Sequence, residues 1–225
     1  MTGHGRGRTL SPEQARSVYN RIGRIQDWQS FYEHAAIDDM ITHADFAHAG
    51  SVYEFGCGTG ELGRKLLTDQ LPPGASYRGV DISDVMVRLS SKRLEPWIER
   101  AVVERVSGDG RLPGEDRGFD RFVATYVFDL LDEETTQAVL SEAHRLLVYE
   151  GLLCIVSLTN GPTRSSKAMS GTWRRIWRRT PQVLGGCRPI DMHREVPVDR
   201  WDVVHHTVIT SWAVPSEVVV ARAVS

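Results

Sequence analysis

The 225-residue chain holds only three cysteines, and no two of them stand in a CxxC pair. That odd set argues against a disulfide framework or a thiolate zinc site and fits a reducing compartment. Long apolar runs are also missing. The longest, residues 152–156, is far shorter than the roughly 20 residues that cross a bilayer. The N-terminus, residues 1–8, is basic and glycine-rich but lacks the apolar core of a signal peptide. A soluble, cytoplasmic protein is the expectation. Net charge is nearly absent too, at −2 from 27 Lys+Arg against 29 Asp+Glu. With 41% hydrophobic and 25% charged residues, the composition excludes a largely disordered or collagen-like chain. The length suits one domain with its own core.

The small net charge hides an asymmetry. Seven basic residues (Arg164, Lys167, Arg174, Arg175, Arg178, Arg179 and Arg188) and no acidic one fall within residues 161–190, which leaves 20 basic against 29 acidic elsewhere. In the same segment Met169, Thr172, Trp173, Ile176 and Trp177 fall on one helical stripe, with most of the basic residues off it. Two readings stay open. Residues 164–179 could form a basic helix lying on an anionic membrane surface. Alternatively, the stripe could roof a substrate pocket and leave its basic face in water. Trp173 and Arg188, the latter in Gly185-Gly186-Cys187-Arg188-Pro189, are substrate-side candidates, and Cys187 reads as a structural thiol.

Along the chain, residues 1–9 read as a disordered basic tail and residues 10–49 as an N-terminal helical segment. The latter opens on a Ser11 cap with Pro12 at the first helical position and includes a second helical stretch over 31–48. Residues 50–225 form the main domain. Short apolar runs at 51–55, 77–80, 102–106, 119–125 and 152–158 read as strands. They alternate with helical patterns at 61–68, 83–100 and 133–147. Such alternation indicates a parallel sheet covered by helices on both faces. The end differs: strand-like segments 201–212 and 217–221, joined by residues 213–216, leave room only for an antiparallel hairpin.

The motif that carries chemistry is Glu54-Phe55-Gly56-Cys57-Gly58-Thr59-Gly60, between the first strand and its helix. Glycines there let the backbone turn sharply and let a ligand approach the main chain. At a strand's carboxyl end the loop lies in the ligand crevice of an open α/β sheet. A dinucleotide fingerprint would need a glycine at position 61, which is Glu61, and no Lys-Ser/Thr pair follows as in a P-loop. A carboxylate at Glu54 repels a pyrophosphate and suits a cationic amino-acid group instead. Two more acids follow the next two strands. Asp81, in Gly79-Val80-Asp81-Ile82-Ser83, can accept both hydroxyls of a ribose, while Ser83 or Asp84 suits the role of helix cap. Asp109, in Ser107-Gly108-Asp109-Gly110, could receive an exocyclic amine or could serve as a turn residue. The histidines are scattered, and neither close pair has good metal geometry: His43 and His48 are five apart, and His205 and His206 alternate faces of a strand. His193 or Asp191 could act as a base.

From about residue 51 to 158 the chain resembles the class I S-adenosylmethionine-dependent methyltransferases. The resemblance implies a Rossmann-like, doubly wound seven-stranded sheet of order 3-2-1-4-5-7-6 with strand 7 antiparallel, which the terminal hairpin fits. It implies that Glu54, Gly56, Cys57, Gly58 and Gly60 hold the methionine part of the cofactor, with the Cys57 side chain packing inward. Asp81 would bind the ribose, with Ile82 and Met86 near the adenine. Asp109, flanked by Gly108 and Gly110, would contact the adenine, and Thr125 and Tyr126 would lie under the cofactor. Tyr149-Glu150-Gly151-Leu152 departs from the family's Pro-Gly-Gly turn.

Methyl transfer from a sulfonium is an in-line displacement that needs alignment and at most one base. The family therefore has no universal catalytic motif. Amino-methylating nucleic-acid enzymes of this fold carry Asp/Asn-Pro-Pro-Tyr after strand four, where this chain has Ala124-Thr125-Tyr126-Val127. Nucleic acid is accordingly an unexpected substrate. Tyr19-Asn20-Arg21-Ile22 and Gln26-Asp27-Trp28 are similar to the tyrosine-bearing lid helix of quinone- and phospholipid-type small-molecule methyltransferases. The likeness makes residues 10–49 a lid, Tyr19 and Tyr126 catalytic candidates, and Tyr19 and Trp28 substrate contacts, although Tyr19 and Trp28 also read as packing aromatics. The sequence thus implies methyl transfer to a small or lipid-like amine, phenol, quinol or thiol, by a monomer or homodimer that binds S-adenosylmethionine and no metal. The competing reading is a non-catalytic S-adenosylmethionine-binding or membrane-docking protein.

Overall fold

A computed structural model describes residues 30–108, 111–160, 189–212 and 214–224, with side chains from Glu33 onward. The elements in chain order are α1 (Ser30–His43), β1 (Ser51–Phe55), α2 (Glu61–Lys65), β2 (Ser76–Asp81), α3 (Asp84–Arg93), β3 (Ala101–Arg105), β4 (Phe119–Thr125), α4 (Glu133–Leu146), β5 (Leu147–Leu158), α5 (Met192–Glu195), β6 (Trp201–Ser211) and β7 (Val214–Ala223). The seven strands form one sheet of order β3-β2-β1-β4-β5-β7-β6. β1 to β5 pair in parallel, while β7 runs antiparallel to both β5 and β6.

The sheet separates two cores. On one face, alternate residues such as Tyr53, Phe122, Leu153, Ile155 and Val219 pack with Val139, Leu140, Ala143 and Leu146 of α4. On the other, Val52, Tyr77, Cys154, Val156, Val218 and Val220 pack with Ala36 and Met40 of α1 and Leu62 of α2. α1 lies against β5, β6 and β7. This is the doubly wound arrangement that the strand and helix alternation implies. Residues 10–29 of the expected lid lie outside the described residues, as does the basic segment from 161 to 188. Among the described residues, no helix is long and apolar enough to cross a membrane.

β1 and β4 begin and end where the sequence places them. Asp120 pins the start of β1, its Oδ2 accepting from the backbone N–H groups of Gly50 at 2.6 Å and Ser51 at 2.9 Å. Elsewhere the boundaries move for identifiable reasons. The helix expected over 83–100 ends at Arg93 and continues as a 3-10 turn, Glu95–Trp97. Pro96 has no N–H to donate and disfavours helical backbone before it. The helix expected over 61–68 widens after Lys65 into a π turn through Gln70, where the Leu71 N–H bonds the Leu66 carbonyl at 2.8 Å. Arg100 steadies that end, donating to the carbonyls of Leu67, Pro72 and Ala75. β5 starts at Leu147 rather than Leu152, across a register irregularity opposite Phe119 and Arg121. β7 starts at Val214, because Ser211 already pairs with Val214.

Candidate functional site

The loop after β1 is fixed from three sides. Gly56 and Cys57 both donate their N–H groups to the Val80 carbonyl of β2, at 2.8 and 3.0 Å, and the Gly60 N–H closes the turn on the Cys57 carbonyl at 2.9 Å. All three glycines take positive φ: 72° at Gly56, 51° at Gly58 and 77° at Gly60. That backbone is strained for any residue with a Cβ. Space is short as well. A Cβ on Gly56 would lie 2.3 Å from Val127 Cγ2, and one on Gly60 would lie 2.5 Å from Ser90 Oγ and 3.0 Å from Ser90 Cα. The loop is thus wedged between the segment following β4 and helix α3.

Asp81, at the end of β2, ties this loop to the next helix. Its Oδ2 accepts from the Gly58 N–H at 3.0 Å and its Oδ1 from the Ser83 N–H at 2.8 Å. Burial pushes its carboxyl pKa up, while the backbone N–H groups of Ser83 and Gly58 pull it down. Ser83 caps α3 by accepting from the Met86 N–H at 3.4 Å, the capping role that sequence offered to Ser83 or Asp84. Ile82 is half-buried, and Met86 is closed in, 1% exposed. Gly108 has φ of 80°, and its nearest neighbour to an added Cβ is Ile82 Cγ2 at 3.6 Å. Asp109 and Gly110 lie outside the described residues.

Glu54 is turned beneath the loop. It is 2% exposed, and its Oε2 accepts from the Tyr77 hydroxyl at 2.6 Å. Burial raises its pKa from an ordinary 4.5 to about 7, with the Tyr77 hydrogen bond opposing that rise and the Asp81 charge adding to it. Tyr77 is a site residue that sequence reasoning missed. Its ring lies in a slot made by two glycines: a Cβ on Gly63 would meet its Cζ and hydroxyl oxygen at 2.6 Å, and one on Gly79 would meet the hydroxyl at 2.8 Å. The available signal was a tyrosine two residues before a strand glycine, on the strand beside the one that carries Glu54. Cys57 packs against the same group, buried, and burial pushes its thiol pKa up.

Thr125 is half-buried at the end of β4. Tyr126 follows it with φ of 54°, a conformation uncommon for a residue with a side chain. Its N–H donates to the Val156 carbonyl at 2.7 Å, and its hydroxyl reaches across β5 to Ser216 Oγ on β7 at 2.9 Å. Farther along the same end of the sheet, the buried Glu217 carboxylate accepts from the Met192 N–H at 2.7 Å, the His193 N–H at 3.4 Å and His206 Nε2 at 2.8 Å. The rings of His193 and His206 stack there with centroids 4.3 Å apart. Asp191, the other expected base, pairs with Arg194 at 3.1 Å. His43 of α1 stacks on His205 of β6, a pairing between segments distant in sequence. Tyr19, Trp28, Trp173 and Arg188 lie outside the described residues.

Two carboxylates and a strained, crowded glycine loop therefore converge at the carboxyl ends of β1 and β2, the ligand crevice of such sheets. These carboxylate acceptors suit a ligand with a positive charge and a diol.

Residues 53–153 match a protein family described as a methyltransferase domain. An uncharacterized methyltransferase of Oceanobacillus iheyensis is 26% identical over 132 residues, 58% of this chain and 56% of that protein. The match thus spans little more than half the length of that relative. Among solved structures, the [4+2]-cyclase SpnF superposes with a TM-score of 0.71 at 12% identity, over 96% of this chain and 98% of its own. An S-adenosylmethionine-dependent methyltransferase of Methanosarcina mazei superposes with a TM-score of 0.62 at 16% identity, over 82% and 97%. At these identities the likenesses to solved structures establish the fold.

Proposed function

We propose that this chain, whose residues 53–153 match a methyltransferase domain, is a class I S-adenosylmethionine-dependent methyltransferase acting on a small-molecule or lipid-like acceptor bearing an amine, a phenol or quinol, or a thiol. The observation that carries this reading is the bridge from Gly58 through Asp81 to Ser83, with Glu54 buried beneath the loop. The residues fit the cofactor. Asp81 has a second lone pair on each oxygen for a ribose diol. Glu54 supplies negative charge suited to the methionine ammonium and sulfonium. The loop glycines, at positive φ, let the main chain turn tightly at the carboxyl end of β1, where such a cofactor would lie. When bound, the cofactor supplies an activated methyl group on sulfur, and the protein's task is to align the acceptor with it.

A second reading, a domain that keeps the fold without methyl transfer, draws on the likeness to SpnF, whose name describes a cyclase. The small-molecule reading is supported by Ala124-Thr125-Tyr126-Val127 after β4, which lacks the prolines of amino-methylating nucleic-acid enzymes. Contact with a membrane through residues 164–179 belongs to the same proposal; co-sedimentation with anionic vesicles at low salt tests it, and no binding removes it. Calorimetry with S-adenosylhomocysteine tests the core reading, with one site expected. Asp81→Ala should weaken binding by about 1.5–3 kcal/mol, the contribution of a charge-assisted hydrogen bond. Product release in a screen of acceptor classes then separates turnover from binding alone. Absence of S-adenosylhomocysteine binding overturns both readings.

A further inference from the structure

Away from the glycine loop, α1 and β6 bring together Asp39, His43 and His205. Asp39 and His43 stand four residues apart, on one face of α1. His205 comes from the sheet face that packs against that helix. Its Nε2 lies 2.7 Å from Asp39 Oδ2, and His43 Nδ1 lies 3.7 Å from the same oxygen. One ligand atom from each of the three falls within 4.8 Å of those from the other two.

We propose that these three residues form a binding site for a divalent transition metal of the zinc class. Two imidazole nitrogens and one carboxylate oxygen are a donor set that zinc accepts, leaving a coordination position for water. The site is neither sealed nor flat on the surface: the side chains are 24% exposed at Asp39, 41% at His43 and 19% at His205, so an ion can enter and still be partly desolvated. The neighbouring acid, Asp38, is paired with Lys65, and Asp39 faces the imidazoles. The two rings lie face to face, with centroids 3.5 Å apart and planes 7° from parallel. An ion shared by both must lie in each ring plane, so one ring has to turn. His43 is the ring with room to do so, exchanging its Nδ1 contact with the Asp39 carbonyl at 2.9 Å for the metal. The bound ion would fasten α1 to the outermost strand of the sheet.

The test uses the full, untagged chain stripped with a chelator. Co2+ is titrated by absorption spectroscopy and Zn2+ by calorimetry. One equivalent is expected, with the visible bands of a low-coordinate cobalt site and a zinc-dependent rise in melting temperature. His205→Gln and His43→Gln should each weaken binding on the order of tenfold or more and abolish the thermal shift. His43→Gln is the safeguard against misfolding, since that side chain is the most exposed of the three. His48→Gln, at an exposed histidine paired with Asp45, should bind like the natural chain. S-adenosylhomocysteine affinity should be the same with and without metal. No stoichiometric binding, or undiminished binding in folded His43→Gln and His205→Gln, overturns the site and leaves the methyltransferase reading untouched.

Discussion

Glu54→Gln makes the buried acid beneath the loop measurable. The folded protein holds the Glu54 proton more tightly than the unfolded chain does, because burial raises its pKa from 4.5 to about 7. Between those two pH values the unfolded state loses the proton first. Stability therefore falls as pH rises from 4.5 to 7 and levels off above that. At 1.36 kcal/mol per unit, the shift corresponds to about 3 kcal/mol lost by pH 8. Glutamine keeps an oxygen to accept from the Tyr77 hydroxyl and carries no titrating proton. The variant should therefore escape that loss.

The assay is a pair of thermal melts, natural chain and Glu54→Gln, run side by side from pH 4.5 to 8.5 without ligand. Every other titrating group is common to both, so the difference in melting temperature isolates Glu54. Near pH 4.5 the two should melt alike. Above pH 7.5 the variant should melt higher by roughly 6–12 °C, at 2–4 °C per kcal/mol for a domain of this size. S-adenosylhomocysteine should bind the variant more weakly, because the charge that destabilises the free protein is the one offered to the cofactor's ammonium. A gap that does not change with pH, or a variant that melts below the natural chain at pH 8, would refute the reasoning.

Gly56→Ala should destabilise the fold by about 2–3 kcal/mol, from the positive φ and the clash with Val127 together; adding Val127→Ala should recover only the steric part, as read in denaturant melts. Arg121→Met should cost about 3 kcal/mol in urea unfolding, because the buried guanidinium donates to the Ala44 and Asp45 carbonyls at 2.6 Å each and the apolar replacement leaves both carbonyls without it. Tyr126→Phe should lower stability by about 1 kcal/mol through loss of the bond to Ser216, while S-adenosylhomocysteine affinity, measured by calorimetry, stays the same.

The parts of this protein that periodicity can encode were legible in the sequence. The extents of β1 and β4 follow from apolar runs with polar stops. The antiparallel β7 follows from a connection too short to hold a crossover helix. The helical pattern read over 83–100 runs through Pro96, and the helix instead ends before that proline, at Arg93. Position along one strand or loop is enough to place Asp81 and the three glycines at the crevice. The side-chain pairs that give the site its character are set by register between strands, which no single segment contains. In the parallel register, Glu54 stands opposite Gly79 and Val52 opposite Tyr77. Tyr77 therefore shares Glu54's face, one two-residue step lower. That step is about 6.6 Å, close to the reach of a phenol lying along the strand. Such a ring can lie there only if the intervening position has no side chain, and that position is Gly79. Gly79 thus has a physical reason to be glycine that its own φ does not give: it is the space through which Tyr77 reaches the acid. His43 and His205 follow the same logic over a longer distance. They come within stacking range because α1 crosses β6, not because of their spacing in the chain, so histidines weighed only against their near neighbours in sequence could not reveal the Asp39 cluster.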